Sequence, residues 1–514
     1  MKRTVGIIIL LFTVLNVSSF FIMKAKTPQY TVFTGAVHYP PDYLYYLSFI
    51  TQGKEHWIYS SNLKSSETQS PEFLNWFYVL GGHIGSLFGL SSIAIYQLMV
   101  VCTSIVYLGS AYLLFSLVFP TQPVTRGIAY LLFLLSNAFP KITHSAAGWD
   151  FNFYYPFNNM GHPFVRLSNV PHHTLIQASI LLAFVFFGKY TSSPSKKYLP
   201  IMAILGIILG SMQPLQWAIV TGILGLCSIF FSLSIIPSIV LGFSGLPFAI
   251  YIQQLYSGSL YTYMINWEKN QQVFISFKEF VTLHGPVMLV GLISIPFLYK
   301  KISRTAIPML LYSTLAIGIF FSPIPVKIGI LNLRFLSIVP IAAVSYMCAL
   351  LIKTLCIGVP AARRYPLMWF AAFCIIAITI PVTYAHVALG RPHASLEEVN
   401  TYLPIGMYEL YETARKTIAP SEVTLVTPFF SQSFPGFVGR HVFVADAFGT
   451  LDFQRKKEES ERFLALTGTA SDRYTWLKKN SISYIITYAW TPISDMPELR
   501  IVQQNDYAIL YKVM

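Results

Sequence analysis

Charged residues are scarce in this 514-residue chain, where Asp, Glu, Lys and Arg together make up 11% of the sequence. In soluble proteins about a quarter of the residues are charged. Hydrophobic residues make up 54% and aromatic residues 16%, and the mean hydropathy is +0.56. This composition excludes an ordinary soluble protein and indicates an α-helical polytopic membrane protein.

Cysteine is also rare, with five residues in the whole chain. All of them lie within or beside apolar segments, and none falls in a predicted outer loop or in the C-terminal segment: Cys102, Cys227, Cys348, Cys356 and Cys374. The sequence therefore implies neither a disulfide framework nor a thiolate metal site. It also lacks internal repeats and low-complexity tracts, which weakens an inverted-repeat transporter.

Acidic residues are outnumbered, and the formal net charge is +14. Many of the basic residues fall in short loops between apolar segments: Lys189, Lys196 and Lys197; Lys300, Lys301 and Arg304; Lys353, Arg363 and Arg364. The positive-inside rule makes such loops cytoplasmic, so the charge requires no nucleic-acid partner. Together with Lys2 and Arg3, it predicts a cytoplasmic N-terminus in the cell (plasma) membrane.

Apolar segments long enough to cross a bilayer recur along the first 391 residues. Segment 5–23 lacks a small-residue cleavage site and is interpreted as a retained helix. The stretch 198–256 divides at Gln213-Pro214 and at Pro237 into three segments. With three helices in this stretch, the sequence predicts about eleven transmembrane helices, an odd number that makes the C-terminus extracytoplasmic. If the stretch holds only two helices, the total is no longer odd and this location of the C-terminus does not follow. The other segments are 92–119, 127–140, 173–189, 285–299, 305–321, 336–354 and 367–389.

After Gly390-Arg391-Pro392 the composition becomes that of a small soluble domain. We therefore divide the chain into a transmembrane domain, 1–391, and an extracytoplasmic α/β domain, 392–514. Hydrophobic periodicity predicts helices over 403–418, 453–466 and 471–479, and strands over 422–427, 441–445, 482–488 and 507–513.

Asp42 is the first candidate site residue. It lies in the run HYPPDYLYYL, in a polar loop that extends from the first span to about residue 80. A carboxylate there, beside tyrosines and near membrane helices, suggests chemistry at the membrane surface. The structural alternative is a turn or N-cap residue after Pro40 and Pro41, with the tyrosines forming an interfacial belt.

The second outer loop, 141–172, carries Asp150, flanked by aromatic residues, and Arg166; His172 and His173 begin the next helix. Such a loop would line a cavity of low dielectric, with aromatic rings suited to the apolar faces of sugars. An interfacial aromatic belt is the alternative. The adjacent histidines point about 100° apart on a helix and match no regular metal motif. We therefore assign no metal ligand, although Asp42 and Asp150 are compatible with a divalent cation.

Arg334 lies in NLRFLSIVP, at the outer mouth of span 336–354. A guanidinium at that depth needs a partner, and a phosphate accepts it bidentately. A snorkelling arginine without a function is the alternative.

Several short motifs resemble the C-type glycosyltransferase superfamily (GT-C), in particular uncharacterised bacterial members. They are DYLYYL from Asp42, RLSNVPHH from Arg166 to His173, the Gln213-Pro214 break, WEKN from Trp267, and RF-x-x-x-x-P from Arg334 to Pro340. The resemblance covers most of the chain, but the motifs that carry it are short and loose.

The resemblance implies an enzyme that transfers a sugar from a polyprenyl-phosphate-linked donor. Asp42 matches the first-loop catalytic base or acceptor-binding carboxylate, and Asp150 matches the second-loop acid. Arg334, with Arg166 and His172, would bind the lipid phosphate. Gly148 and Asn152 leave no DxD or ExD pair, so a divalent metal is not required. No WWDYG motif is present, which argues against the oligosaccharyltransferase branch.

Three functions remain open on the sequence alone: a hexosyl- or pentosyltransferase, a transporter or flippase of lipid-linked sugars, and a non-catalytic protein with the same fold. Membrane lipid is a partner under each. Donor sugar, acceptor, stereochemical outcome and oligomeric state are not specified by the sequence.

Overall fold

The computed structural model of the protein describes residues 2–37, 39–56, 58–67, 69–145, 148–152, 162–167, 170–388 and 398–514. The linker Gly390-Arg391-Pro392 lies outside these residues. The α-helices that the structure describes before this linker are α1 (Lys2–Ala25), α2 (Pro40–Gly53), α3 (Trp76–Ser86), α4 (Ser92–Val118), α5 (Pro123–Leu134), α6 (Pro163–Leu167), α7 (Pro171–Ser192), α8 (Tyr198–Met212), α9 (Pro214–Phe230), α10 (Ile236–Leu255), α11 (Ser259–Lys269), α12 (Phe277–Leu298), α13 (Ile307–Phe321), α14 (Ile324–Ile328), α15 (Val339–Leu355), α16 (Ala361–Ala377) and α17 (Ile380–Ala388).

The C-terminal helices are α18 (Glu398–Thr401), α19 (Ile405–Thr417), α20 (Phe434–Val438), α21 (Phe453–Leu464) and α22 (Ala470–Lys479). The strands are β1 (Thr31–Phe33), β2 (Lys141–Ser145), β3 (Gly148–Asn152), β4 (Tyr402–Pro404), β5 (Val423–Val426), β6 (His441–Val442), β7 (Ile482–Tyr488), β8 (Leu499–Gln504) and β9 (Ala508–Val513).

Six helical segments of the described chain are long and apolar enough to cross a membrane: Arg3–Ala25, Ser92–Val118, Pro171–Ser192, Ile236–Leu255, Phe277–Lys301 and Arg304–Phe321. Four shorter apolar helices accompany them: α5, α8, α9 and α15. The protein is therefore a multi-pass membrane protein, as predicted. The stretch 198–256 folds as the three helices α8, α9 and α10, but the number of eleven spans stays a prediction.

The chain forms two compact units. Unit 1 contains Met1–Ser18 and Val100–Leu389, and unit 2 contains Ser19–Met99 and Gly390–Met514. Unit 2 thus combines residues 19–99, which include the predicted first outer loop, with the C-terminal segment. The division of the sequence at 391/392 into a transmembrane and an extracytoplasmic domain stays a prediction.

Unit 1 is a helical bundle in which small residues let backbones approach closely. Gly206 and Gly210 of α8 are spaced as GxxxG, a motif of close helix pairs in membranes. A Cβ atom added to Gly210 would lie 2.4 Å from the carbonyl oxygen of Gly245 in α10. Trp217 of α9 donates its indole N–H to the Leu241 carbonyl of α10, at 3.0 Å. These contacts join the three helices of the long apolar stretch.

Unit 2 contains a five-stranded sheet of order β6-β5-β7-β9-β8. Strand β5 pairs parallel with β6 and β7, and β9 pairs antiparallel with β7 and β8. Because side chains alternate along a strand, Ile485 and Ile486 of β7 enter different cores. One core includes residues of α19 and α20, and the other includes residues of α21 and α22. The predicted C-terminal α/β fold is confirmed.

The segment predicted as the first outer loop, 24–80, contains regular secondary structure. Residues 40–53 form α2, and β1 pairs antiparallel with β4, Thr31 opposite Pro404. In the segment predicted as the second outer loop, 141–172, β2 pairs antiparallel with β3, with Thr143 opposite Asp150. The helix and strands within these two segments were not predicted, and their location on the outer face stays a prediction.

Candidate active site

The candidate residues divide between the units: Asp42 belongs to unit 2, whereas Asp150, Arg166, His172 and Arg334 belong to unit 1. Asp150 lies on β3 and Arg166 on α6. Their side chains lie outside the part of the chain that the structure describes.

Asp42 occupies the third position of α2, after Pro40 and Pro41. Proline suits a helix start, because the N–H groups of the first turn have no partner within the helix. The N–H groups of Asp42 and Tyr43 both donate to the Tyr39 carbonyl, at 3.2 and 3.3 Å. Tyr39 itself is the N-cap, so the alternative of Asp42 as an N-cap residue is wrong. A carboxylate in the first turn is instead favoured by the helix dipole.

The backbone of Tyr39 has φ 25° and ψ 79°, an unusual conformation for a residue with a side chain. Residues that precede proline are normally extended. Such strain persists only where the surroundings impose it, and it is concentrated at functional sites. The start of α2, three residues before Asp42, is therefore held in place by the fold around it.

Tyrosines surround the start of α2. The Tyr43 hydroxyl donates to the Thr34 carbonyl at 2.8 Å, and burial raises the pKa of this phenol. The Tyr43 and Tyr96 rings meet edge to face at 4.7 Å, and Tyr46 stacks on Tyr78 at 4.5 Å. Asp42 is partly exposed and close enough to Tyr96 to interact with it electrostatically. The carboxylate thus lies beside phenol groups, which can bind sugar hydroxyls.

The C-terminal segment holds α2 and the loop after it. Thr51, near the end of α2, donates its hydroxyl to the Gly436 carbonyl at 2.7 Å. Lys64 pairs with Asp446 at 2.5 Å, with the lysine side chain 3% exposed. The Lys64 ammonium also lies 4.9 Å from the centre of the Tyr45 ring of α2. The sheet domain is thereby connected to the helix that carries Asp42.

Further ion pairs join the same two segments. Lys456 is buried and pairs with Glu67, and Arg440 pairs with Glu55 at 3.2 Å. The His441 ring bonds to the Ser65 carbonyl through Nδ1 at 2.9 Å. Burial lowers the pKa of His441. These contacts are spread along residues 55–67, so the loop is fixed at several points.

In unit 1, Arg334 lies in the single-turn helix Asn332–Phe335. Its Nε donates to Glu268 Oε1 at 2.5 Å, and the two side chains remain 35% and 26% exposed. Tyr256 interacts electrostatically with both residues. Half-exposed ion pairs of this kind contribute little to stability, so Glu268 mainly orients the guanidinium.

A second network fixes the backbone on either side of this pair. Asn332 donates its side-chain amide to the Val273 carbonyl at 2.6 Å and accepts from the Val273 N–H at 3.1 Å. Gln272 bonds to the Ile330 carbonyl and to the Asn332 N–H, at 2.9 and 3.1 Å. The segments that carry Glu268 and Arg334 are thus joined.

Arg334 opens onto a small pocket. Its lining is mostly polar: His173, Ile176, Gln177, Gln213, Gln216, Arg334 and Leu336. Gln216 donates to the Arg334 carbonyl at 2.6 Å and accepts from the Tyr312 hydroxyl. Gln177 accepts the Ile338 N–H at 2.9 Å. A guanidinium, an imidazole and neutral amides form a donor set that suits an anion.

Several residues of this pocket were not predicted from the sequence. His172 was predicted as a phosphate ligand and stays a prediction, whereas His173 lines the pocket; the centres of the two rings are 4.2 Å apart. Gln213 was interpreted only as a helix break, and Gln177 and Gln216 were not predicted. Glutamines within apolar helices were the available signal, because a polar side chain at membrane depth needs a partner.

No protein-family model matches the sequence, and no curated protein matches it. Solved structures do. The oligosaccharyltransferase of Archaeoglobus fulgidus is 12% identical in sequence. The superposition covers 95% of this chain and 70% of that one, with a TM-score of 0.55. The same organism's AglB, in complex with an inhibitory peptide and a dolichol-phosphate, is 13% identical, with coverages of 95% and 69% and a TM-score of 0.53. ArnT from Cupriavidus metallidurans, bound to undecaprenyl phosphate, is 12% identical, with coverages of 98% and 97% and a TM-score of 0.51.

Proposed function

We propose that this chain, which has the fold of the GT-C glycosyltransferases, is a membrane glycosyltransferase that uses a polyprenyl-phosphate-linked sugar. The Arg334 pocket is the observation that carries the proposal. It offers a guanidinium, oriented by Glu268, in a polar lining among membrane helices. The fold supports the same assignment, since ArnT and AglB are complexed with polyprenyl-type lipid phosphates.

The proposed reaction needs a base for the acceptor and a cation for the leaving group. Asp42 would take the proton of the acceptor hydroxyl as its oxygen attacks the anomeric carbon of the donor. The bond from that carbon to the phosphate oxygen breaks, and the lipid phosphate leaves with the bonding electrons. Arg334, with Arg166 and His172, would stabilise the negative charge that develops on the phosphate. His173 joins this group because it lines the pocket.

Asp150 would position the acceptor or hold a divalent cation. Its strand pairing with Thr143 places the backbone on a hairpin of unit 1. Among the described residues, no group of three or more His, Cys, Asp and Glu side chains is arranged to hold a metal ion. We expect Asp150→Asn to reduce turnover, because the substrate or cation would be positioned less well, rather than because proton transfer is lost. The group transferred is proposed to be a hexosyl or pentosyl group.

We propose that the protein lies in the plasma membrane. Its N-terminus would be in the cytoplasm and residues 392–514 would be outside the cell membrane. The support for this orientation is the concentration of Lys and Arg in the loops at 189–197, 300–304 and 353–364. Protease added to intact spheroplasts should then remove the C-terminal domain. Protection of that domain, with cleavage of an N-terminal tag, would invert the orientation.

The direct test is transfer by the purified protein in proteoliposomes, with a panel of polyprenyl-phosphate sugars carrying a labelled sugar and a membrane extract as the source of acceptor hydroxyls. We expect release of free polyprenyl phosphate with one donor, and loss of that release in Arg334→Ala. Arg304→Ala, in a predicted cytoplasmic loop, is the matched control and should keep activity. Movement of the intact labelled donor across the bilayer, without release of lipid phosphate, would instead identify a flippase.

A further inference from the structure

The outer end of α1 connects directly to the C-terminal segment within unit 2. The Tyr402 hydroxyl of β4 donates to the Met23 carbonyl of α1 at 3.1 Å. The Phe20 ring of α1 lies 5.3 Å from Phe33, which lies 5.8 Å from Tyr402. Since α1 is long and apolar enough to cross a membrane, β4 lies where that helix leaves the bilayer.

From β4 an aromatic surface continues away from α1. The Ile405 N–H donates to the Tyr30 carbonyl at 2.9 Å. Tyr507 lies directly against the next residue, because a Cβ atom added to Gly406 would be 2.6 Å from the Tyr507 Cβ. The Trp490 ring is 5.3 Å from Tyr507. We call Tyr30, Ile405, Tyr488, Trp490 and Tyr507 the aromatic patch.

Three residues of the aromatic patch are exposed: Tyr30 is 82% exposed, Trp490 61% and Ile405 46%. Tyr488 and Tyr507 are partly buried and pack against the sheet core. Trp490 is stacked on Tyr488 at 4.6 Å with an interplanar angle of 13°. Asn505 fixes the turn at Tyr507 by accepting its N–H at 3.0 Å and by donating to the Gly406 carbonyl at 2.8 Å. Exposed apolar side chains that are grouped and anchored in this way suit an interaction site.

We propose that the aromatic patch docks on the headgroup region of the same membrane that α1 crosses. Trp and Tyr are enriched at the membrane–water interface, since their rings are apolar at one end and polar at the other. The patch follows strand β4, which is bonded to the end of a membrane helix, and the exposed Lys24 and Lys26 at that helix end would attract anionic headgroups. The contact holds unit 2, and with it Asp42, at the membrane surface, whatever reaction the protein carries out.

A stacked Trp490–Tyr488 pair would also suit the apolar face of a sugar. The continuity with α1 favours the lipid surface, and the test separates the two ligands. The full-length protein is reconstituted in nanodiscs of a phosphatidylcholine brominated near the headgroup, and its Trp emission is compared with that in unbrominated lipid. Trp490→Phe isolates the contribution of Trp490 by difference.

Trp476→Phe is the matched control, because Trp476 belongs to the same segment but packs on Phe463 at 5.2 Å in the sheet core. We expect brominated lipid to quench the Trp490 contribution strongly and the Trp476 contribution little. Equal, weak quenching of both contributions would overturn the proposal. So would a Trp490 signal that ignores bromination and shifts when soluble oligosaccharides are added, since it would identify a sugar site.

Discussion

In unit 2 the Lys64–Asp446 pair leaves 3% and 13% of its side chains exposed, whereas the Arg334–Glu268 pair of unit 1 leaves 35% and 26% exposed. The first pair joins a loop to a sheet domain, and the second borders a polar pocket. Buried charges must stay paired, because removing one partner leaves the other without solvent. A partly exposed ion pair contributes little free energy, so it can separate easily and its guanidinium can bind a ligand.

Some charged groups of the protein are expected to act in the reaction and others to stabilise the fold. Among the first group, Asp42 has the largest expected effect on turnover. Asp42→Asn preserves size and hydrogen bonding but cannot accept a proton. We expect turnover to fall about 10²- to 10⁴-fold, with the melting temperature unchanged. Transfer of a labelled sugar in proteoliposomes measures the first quantity, and a thermal unfolding scan measures the second.

Asp506→Asn is the control, since Asp506 is an exposed acid of the same unit. Near-normal turnover in Asp42→Asn, with loss in Asp150→Asn, would exchange the roles of the two carboxylates. Full activity in both variants would place the base elsewhere.

Breaking the buried pair of unit 2 should affect stability more than any exposed pair does. Lys64→Met leaves Asp446 buried without its partner, so we expect a loss of about 3–5 kcal/mol in the free energy of unfolding. Arg455→Met removes an exposed pair with Glu459 and should change it by about 0–1 kcal/mol. Chemical denaturation followed by fluorescence compares the two. Equal effects would mean that the Lys64 site hydrates when its partner is lost.

Arg334 should show the opposite balance, with a change in binding and little change in stability. Arg334→Ala removes a hydrogen bond to a charged group, so donor affinity should fall about 10- to 100-fold. Arg334→Lys keeps the charge but loses the planar fork and should also be impaired. Donor titration by isothermal calorimetry gives the affinities. An unchanged affinity in Arg334→Ala would remove the phosphate assignment.

The smallest expected effect is a pH dependence of unit 2. The pKa of His441 is lowered by burial from its ordinary value of 6.5. The unfolded chain therefore binds this proton more readily than the folded one, so stability should fall as the pH drops below about 6.5. In His441→Gln the free energy of unfolding should depend less on pH below this value, while its value at neutral pH should change only slightly. A curve with the same slope in both proteins would assign the dependence to other groups.

Periodicity was a good guide where one face of an element is apolar. Strand β7 was predicted at its observed bounds, and α19 nearly so, because both bury apolar residues at regular spacing. Strand β8 was missed, since it is an edge strand whose LRIVQQ sequence is largely exposed. Helix α2 was missed because its Pro-Pro start and its tyrosines resemble a loop, and its buried face is created by distant residues such as Gly436.

The candidate site followed the same division. Asp42 and Arg334 were predicted as site residues from their unusual settings, a carboxylate near a membrane helix and a cation at the mouth of another, and both assignments stay predictions. Glu268, Gln177 and Gln216 were not, because their significance lies in partners far along the chain, such as the bond of Gln216 to Arg334. A single sequence indicates that a glutamine within an apolar helix needs a partner, but not which residue that partner is.

The pairing of β1 with β4 has a consequence for biogenesis. The Thr34 hydroxyl, next to β1, bonds to a carbonyl 367 positions later in the chain, and the buried partner of Lys64 comes later still. While the intervening helices are still being synthesised and inserted into the bilayer, the segment that carries Asp42 lacks the C-terminal residues that it contacts in the folded protein. Unit 2 therefore closes only after the last helices are inserted, so a nascent chain arrested before β4 should be an open, protease-sensitive intermediate, recognisable to quality control.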